Sequence, residues 1–339
     1  MTTPTSLNPP LQRLSNAGKN QLKLLKVLEI LMSKTDENHP LGVKDIMDLL
    51  EQDGISTERK SIYQYIKLLE SHGVDIVTDR QRQNKYFIGS RQFELPELKL
   101  LIDAVLAAKF ISVKKSELLI NKLVTMASVH QSIKLKQQVL LTRRPKTDNE
   151  KILLVVNDLH EALAQGCQVK FKYFDTTLHH TKRYRKDGAY YTVSPVTLLW
   201  DDDKYYLITY NPSYHKFVTY RIDKMEHLEL TAIKSLEIPS DLDLGEHVSQ
   251  IFSMFGGVDE QVTLKVHQRL IDTIRETFGQ QVVTLPLDAD HFTIKVDVQV
   301  SPTFYGWLFT FGDQITILNP PSVIEAYQRE ITKTLALYP

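Results

Sequence analysis

One cysteine, Cys167, serves a chain of 339 residues. An internal disulfide framework is therefore excluded, and a reducing cytoplasm is the expected location. Within EALAQGCQVKF the thiol stands at the start of a strand pattern, where it is expected to pack as a small apolar residue rather than serve as a nucleophile. Long apolar runs are missing too. None approaches the ~18 residues that cross a bilayer, so no membrane partner is expected. Net charge is absent, because 41 Lys+Arg balance 41 Asp+Glu, and the total says nothing about partners. Glycine and proline are few, 13 and 14, as in an ordinary soluble globular chain.

Catalytic signatures are equally scarce. His179-His180 is the one histidine pair, and no cysteine or carboxylate cluster has metal-ligand spacing. HEALA at 160–164 lacks the second histidine of HExxH, and neither a phosphate-loop nor a nucleophile-elbow pattern occurs. Asp201–Asp203 reads as a solvated turn ahead of Lys204 rather than a metal site. No enzymatic activity, cofactor or metal is expected.

The charge that exists is unevenly placed. Residues 1–150 carry 23 basic against 17 acidic side chains, whereas residues 236–339 carry 6 against 14. A polyanion would prefer the N-terminal half. A chain of this length is also long for one core, so two or three domains are expected.

MTTPTSLNPPLQRLSNAGKN has no apolar core of a secretion signal, and residues 1–18 are expected to form a disordered leader. From there the periodicity becomes helical. Leu24, Val27, Leu28 and Leu31 repeat at the spacing of an amphipathic helix. VKDIMDLLEQDG (43–54) is a second helix with Gly54 at its stop. ISTERKSIYQYIKLLESHG (55–73) is a third, with Ser56 or Thr57 as N-cap and Gly73 at its end. VDIVTDRQRQNKYFIG (74–89) reads as two short strands around a polar tip. Three helices and a β-hairpin make the order of a winged helix-turn-helix, expected over residues 19–92. The third helix carries Arg59, Lys60, Ser61, Tyr63, Gln64 and Lys67, donors and an aromatic at the end that a recognition helix presents to the major groove. Lys67 with Arg80, Arg82 and Lys85 of the hairpin would meet phosphates. A solvated charged face is the plain alternative for these residues, and the order of elements favours double-stranded DNA.

Residues 93–141 read as helical throughout, with Pro96 in a first turn, and 91–150 carry 11 basic against 6 acidic residues. Residues 93–148 are expected to be a helical linker that packs within the chain or on a second copy. LTRRPKTDNE (141–150) breaks the pattern and marks a boundary. After the helix KILLVVNDLHEALAQG the pattern turns to strands: QVKFKYFD, YYTVSPVTLLW, KYYLITYN and KFVTYRIDKMEHLEL. Closely spaced strands with tight polar turns imply a small barrel or strongly bent sheet. Tyr205 and Tyr206, adjacent in a strand, must point to opposite faces.

The sequence around them resembles a known family. Tyr205-Tyr206-Leu207, the preceding Val193-x-Pro195, and Tyr220-Arg221-Ile222-Asp223-Lys224 are similar to the motifs of the WYL domain, an Sm-like small barrel. Phe255-Gly256, Trp307-Leu308-x-x-Phe311-Gly312 and Ile317-Leu318-x-Pro320 look like the ferredoxin-like extension that follows such a domain. Tyr191, Val218 and Lys224-Met225 depart from residues that are basic, or Arg-Ile, in the family pattern. The resemblance implies an α+β multidomain architecture, with a WYL barrel over 149–238 and the extension over 239–339. It implies a bacterial transcription regulator, expected to be cytoplasmic and homodimeric, with repression the expected sign because a dimer covering a promoter needs no further contacts. Its WYL domain would sense a nucleotide or single-stranded nucleic acid and control DNA binding. The ligand residues carried over are Tyr173, Tyr205, Tyr206 and Arg221; Lys172 would add positive field, as would Arg183 and Arg185, which lie in a hairpin with no match in the family pattern. A phage-defence or repair accessory protein that binds single strands is the alternative from another class.

Overall fold

The computed structural model describes residues 16–80, 83–139, 146–147, 149–179, 181–201, 203–250 and 256–339. It is a mixed α+β structure with several sheets, and it divides into two compact units, Met1–Glu150 and Lys151–Pro339. No helix among the described residues is long and apolar enough to cross a membrane.

The first unit opens with α1 (Asn16–Lys34), β1 (Leu41–Gly42), α2 (Val43–Gln52), α3 (Arg59–Ser71), β2 (Ile76–Arg80) and β3 (Asn84–Ile88). The apolar stripe of α1 does what its spacing requires. Val27 and Leu31 are fully buried with Ile46 and Leu50 of α2 and Ile62 and Ile66 of α3, and Leu24 and Leu28 pack at the edge. The strands form one antiparallel sheet in the order β1-β3-β2. Gly54 and Gly73 follow α2 and α3 at φ +76° and +87°, a left-handed conformation open to glycine at no steric cost. α3 starts later than expected. Its N-cap is Glu58 rather than Ser56 or Thr57, because buried Ile55, whose N–H donates to the Leu50 carbonyl at 2.9 Å, holds the preceding segment extended.

The stretch expected to be helical throughout is instead three helices: α4 (Leu95–Ala107), α5 (Val113–Val124) and α6 (Val129–Val139). Serines make the breaks. Ser112 caps α5 by accepting the Lys115 N–H at 3.3 Å. Ser128 accepts the Gln131 N–H at 3.1 Å, while the Gln131 amide oxygen accepts the Ser128 N–H at 3.4 Å. Such local bonds offer the backbone an alternative to continuing a helix. Leu98, Ile102, Ile120, Val124, Ala127 and Leu135 form the core of this trio.

The second unit begins with α7 (Ile152–Gln165), which ends at left-handed Gly166. Six strands follow: β4 (Cys167–Thr176), β5 (Lys182–Tyr184), β6 (Tyr191–Asp201), β7 (Lys204–Asn211), β8 (Lys216–Arg221) and β9 (Met225–Lys234). Their order is β5-β4-β6-β7-β8, and β9 returns to pair with β4. A single 3-10 turn, Ile222–Lys224, joins β8 to β9, so the sheet curls back on itself. Register shifts at Cys167/Val169 and Lys170/Lys172 in β4 supply the bend. Val169, Phe171, Leu207 and Ile208 are fully buried, and Cys167 is buried at the first position of β4.

The rest is α8 (Leu244–Gln250), β10 (Val258–His267), α9 (Ile271–Phe278), β11 (Thr284–Pro286), β12 (His291–Val300), α10 (Pro302–Thr310), β13 (Ile315–Asn319) and α11 (Pro321–Leu335). Its antiparallel sheet has the order β11-β12-β10-β13, with Val262, Leu264, Ile274, Phe304 and Leu308 in its core.

Candidate functional site

α3 buries Ile62, Ile66 and Leu69 and turns its remaining faces outward. Arg59, Lys60, Tyr63, Gln64 and Lys67 are exposed, and Ser61 is half-buried. Arg59 donates to the Tyr63 hydroxyl from Nη2 at 3.2 Å and from Nε at 3.4 Å, with its guanidinium 5.9 Å from the ring centroid. The N-terminal half of this helix thus presents two cations, an amide and a phenol, reinforced by the positive end of the helix dipole. Arg80 and Lys85 are exposed on the hairpin, opposite Asn84 and Asp79 in register. Arg82 lies outside the described residues.

In the curled sheet, Tyr173 is the centre of the arrangement. It is buried, and its ring packs edge-on against Phe171, Tyr191 and Tyr220, with centroids 6.2, 6.0 and 5.5 Å away. Its hydroxyl accepts the backbone N–H of Arg221 at 3.1 Å, which ties β4 to the end of β8. Burial pushes the Tyr173 phenol up against the opposing effect of that bond. Burial, then the neighbouring Tyr191 and Tyr173, push Tyr220 up to about 12. These phenols therefore stay neutral at physiological pH and offer hydroxyls rather than phenolates.

Two arginines flank the cluster. Arg221 makes a two-point bridge to Asp223, from Nε to Oδ1 at 3.1 Å and from Nη2 to Oδ2 at 2.7 Å. Arg185 makes the same fork to Asp175, both bonds at 2.9 Å, and its guanidinium stands 5.3 Å from the Tyr173 ring centroid. That hydrogen-bonded guanidinium is the main reason the Asp175 carboxyl lies below its ordinary range. Lys186 stands 4.2 Å from the Tyr191 ring centroid. Both cations sit on a turn in which Lys186 and Asp187 take φ +50° and Gly188 φ +83°. Planar guanidinium forks match carboxylate and phosphate alike.

Of the expected ligand residues, Tyr173, Tyr206 and Arg221 are brought together, since Tyr206 is the direct cross-strand partner of Arg221. Lys172 and Tyr205 are not. Lys172 points to the face of β4 opposite Tyr173, over the rings of Tyr184 and Tyr190 at 5.7 and 5.3 Å. Tyr205 pairs with Trp200 on the face of β7 away from Tyr206; Tyr206 is buried and Tyr205 half-buried. Asp203, at φ +60°, belongs to the turn between β6 and β7. Lys186, Asp175 and Tyr220 are contributors outside the expected ligand set, and Arg185, expected only to add to the positive field, stands directly over the Tyr173 ring. Arg185 was visible as a cation, but its approach to Tyr173 depends on the β4–β5 register and a left-handed turn.

A cleft of about 700 Å³ opens elsewhere in this unit, beside β8, lined by His215, Lys216, Thr219, Asp241, Asp259 and His247 among others. None of the expected ligand residues lines it. No group of three or more His, Cys, Asp or Glu among the described residues is placed to hold a metal ion.

The WYL domain family matches residues 155–230, which include Tyr173, Arg185, Tyr206 and Arg221. The WCX domain family matches residues 259–335. No curated protein matches the sequence. Among solved structures the chain is similar to proteasome accessory factor B/C (PafBC) of Arthrobacter aurescens, at 17% identity over 100% of this chain and 52% of that one, TM-score 0.30. It is also similar to a CRISPR Cas-related protein, at 13% identity over 96% of this chain and 81% of that one, TM-score 0.36. The chain spans about half the length of the first of these.

Proposed function

For a chain that carries a WYL domain followed by a WCX domain, the architecture of the WYL-family transcriptional regulators, we propose a homodimeric, cytoplasmic, sequence-specific regulator of transcription that binds duplex DNA. Residues 19–92 are read as the winged helix-turn-helix, 93–148 as the helical linker, 149–238 as the Sm-like WYL barrel and 239–339 as the ferredoxin-like extension. The β-α-β-β-α-β order and strand arrangement of β10 to β13 support the last assignment. The barrel senses an anionic ligand, a nucleotide or a short single strand, and sets whether the DNA-binding surfaces are presented. Repression is the favoured sign, and no catalytic step is assigned to any residue.

The observation that carries this reading is the exposed N-terminal half of α3. Arg59, Lys60, Tyr63, Gln64 and Lys67 project from a helix whose apolar stripe is already used by its own core. A solvated surface helix has no need of that concentration of donors at one end.

The test is a salt-titrated binding assay with three probes: duplex from the gene's own upstream region, a scrambled duplex, and a single strand of equal length. A sequence-specific regulator binds the first tightly and loses affinity steeply with salt as counterions are released. Equal binding to all three, or preference for the single strand, would replace this reading with that of a single-strand-binding accessory protein.

A further inference from the structure

Arg185 and Arg221 are both planar anion receptors, and both are already filled from within the chain. The partner is a carboxylate each time, held at two points: Asp175 on Arg185 and Asp223 on Arg221. A carboxylate presents two oxygens to a guanidinium fork as a phosphate does. We infer that Asp175 and Asp223 are resident stand-ins for phosphate, and that the WYL barrel is built for a ligand carrying two phosphate groups, which displaces both carboxylates together. This inference rests on the reading of the barrel as a ligand sensor.

Three observations support it. First, both bridges are accessible to exchange. The side chains of Arg185 and Asp175 are 54% and 37% exposed, and those of Arg221 and Asp223 36% and 26%. Partly exposed ion pairs of this kind contribute little to stability, so a better anion replaces them at small cost. Second, both arginines are tied to one residue, Arg185 through its guanidinium and Arg221 through its backbone, and the charges of both act on the Tyr173 phenol. Arg185 stands over the Tyr173 ring, and the Arg221 backbone N–H binds the Tyr173 hydroxyl. A ligand engaging both forks therefore spans a buried tyrosine, beside the rings of Tyr191 and Tyr220 that offer faces or edges to a base. Third, the chain accepts an unfavourable backbone to put the cations there. Lys186 and Asp187 are both left-handed, and that turn carries Arg185 and Lys186 to their positions over Tyr173 and Tyr191. Side-chain-bearing residues in that conformation are strained, and such strain gathers at binding sites.

The stand-ins would also make the site selective. A ligand with one phosphate opens one bridge and leaves the other Arg–Asp pair closed, whereas a ligand with two phosphates gains both guanidinium forks. Selectivity for number of phosphates follows without any contact to the base.

The experiment uses the full chain and two thymidine dinucleotides, one with a 5′-phosphate (two phosphates in all) and one without (a single phosphodiester). Binding is measured by calorimetry for the wild type, Asp175→Asn and Asp223→Asn, with a melting curve for each. The wild type should prefer the two-phosphate probe by about tenfold or more, and each Asn variant should bind the single-phosphate probe about tenfold tighter than the wild type does. If the wild type binds but the Asn variants gain nothing, the carboxylates are not stand-ins, and the sensor reading survives. If neither wild type nor variants bind either probe, the sensor reading fails and this inference with it. Should an Asn variant fail to fold, Arg185→Lys keeps the charge but removes the fork. Its preference for two phosphates should then collapse, and an unchanged preference overturns the inference.

Discussion

His39 and His130 stack ring on ring, with centroids 3.7 Å apart and planes within 6° of parallel. They join the loop before β1 to the first turn of α6, and the stack rests on a buried carboxylate. Asp36, 3% exposed, accepts from His39 Nδ1 at 2.7 Å on one oxygen and from the Ser128 hydroxyl on the other. Arg91 closes the same corner by donating to the carbonyls of Met32 and Thr35, at 2.7 and 2.6 Å, at the end of α1. The three-helix part and the α4–α6 trio are therefore locked together within the first unit by polar groups rather than by apolar packing alone.

Burial pushes the Asp36 carboxyl up, but the hydrogen bonds from Ser128, His39 and the Asn38 N–H outweigh it and hold the group below its ordinary range. A carboxyl lowered in the folded state stabilises above its unfolded value, near 3.8, and loses that contribution as pH falls through the folded value. Asp36→Asn should cost about 2–4 kcal/mol at neutral pH, because buried donors lose a charged acceptor. Urea titrations should find the gap between wild type and variant constant from neutrality to about pH 4 and closing below. A gap that vanishes well above pH 4, or none at all, would mean Asp36 does not bear this load.

On α3, Arg59→Ala and Lys60→Ala should each weaken duplex binding by about 1–3 kcal/mol. Fluorescence anisotropy across a salt series separates their roles. A phosphate contact lowers the salt slope, whereas a base contact relaxes sequence preference. A folded double variant that binds duplex like the wild type removes α3 from the DNA interface.

Tyr173→Phe deletes one oxygen and leaves the Arg221 N–H without its acceptor. An orphaned donor in a buried place costs about 1–3 kcal/mol, read as a lower denaturation midpoint of the second unit. Because Arg221 then loses its anchor, ligand affinity should fall with stability rather than independently of it.

Gly257 and Gly306 should respond to alanine in opposite directions. A Cβ on Gly257 would meet the Val300 carbonyl oxygen at 2.1 Å, a backbone atom that cannot turn aside. Gly306 lies inside α10 with nothing within 4 Å of its Cβ direction. Gly257→Ala is expected to destabilise by about 2 kcal/mol or more, and Gly306→Ala to stabilise by about 1 kcal/mol, the difference in helix propensity. Melting curves for the two single variants decide it, and a destabilised Gly306→Ala would mean α10 needs that notch.

Burial lowers His247 from its ordinary 6.5; nearby Asp259 opposes that shift and Lys216 adds to it. The neutral ring packs on Phe217, 5.0 Å between centroids. Since the folded value is the lower one, its contribution is present above 6.5 and lost as pH falls through the folded value. His247→Phe should flatten the wild type's loss of melting temperature on mild acidification. An unchanged pH profile would rule out His247 as its source.

Much of this was legible along the chain because it is local. The stripe Leu24, Val27, Leu28, Leu31, the glycines after α2 and α3, and the place of Asp203 between β6 and β7 each follow from a few neighbouring residues, while Asp202 lies outside the described residues. The alternation rule separated Tyr205 from Tyr206 correctly. Applied to Lys172 and Tyr173, the same rule would have parted them too, but Lys172 was valued for its charge alone. The breaks at Ser112 and Ser128 were also visible as caps, yet the apolar content of residues 93–141 outweighed them. What could not be read was long-range. That Arg185 reaches Tyr173, and that the Arg221 N–H ends on a phenol 48 residues away, depends on strand registers that no window of sequence contains.

Cys167 gives the molecule its own clock. The thiol is buried at the seam where β4 meets β9, opposite Lys234, and it is the sole thiol of the chain. A thiol reagent can reach it only when that seam opens, so the rate of its modification reports local unfolding of the curled sheet without any engineered label. A ligand that bridges β4 and β8 should slow that rate, and the chemistry of one atom would then report occupancy of a site it does not touch.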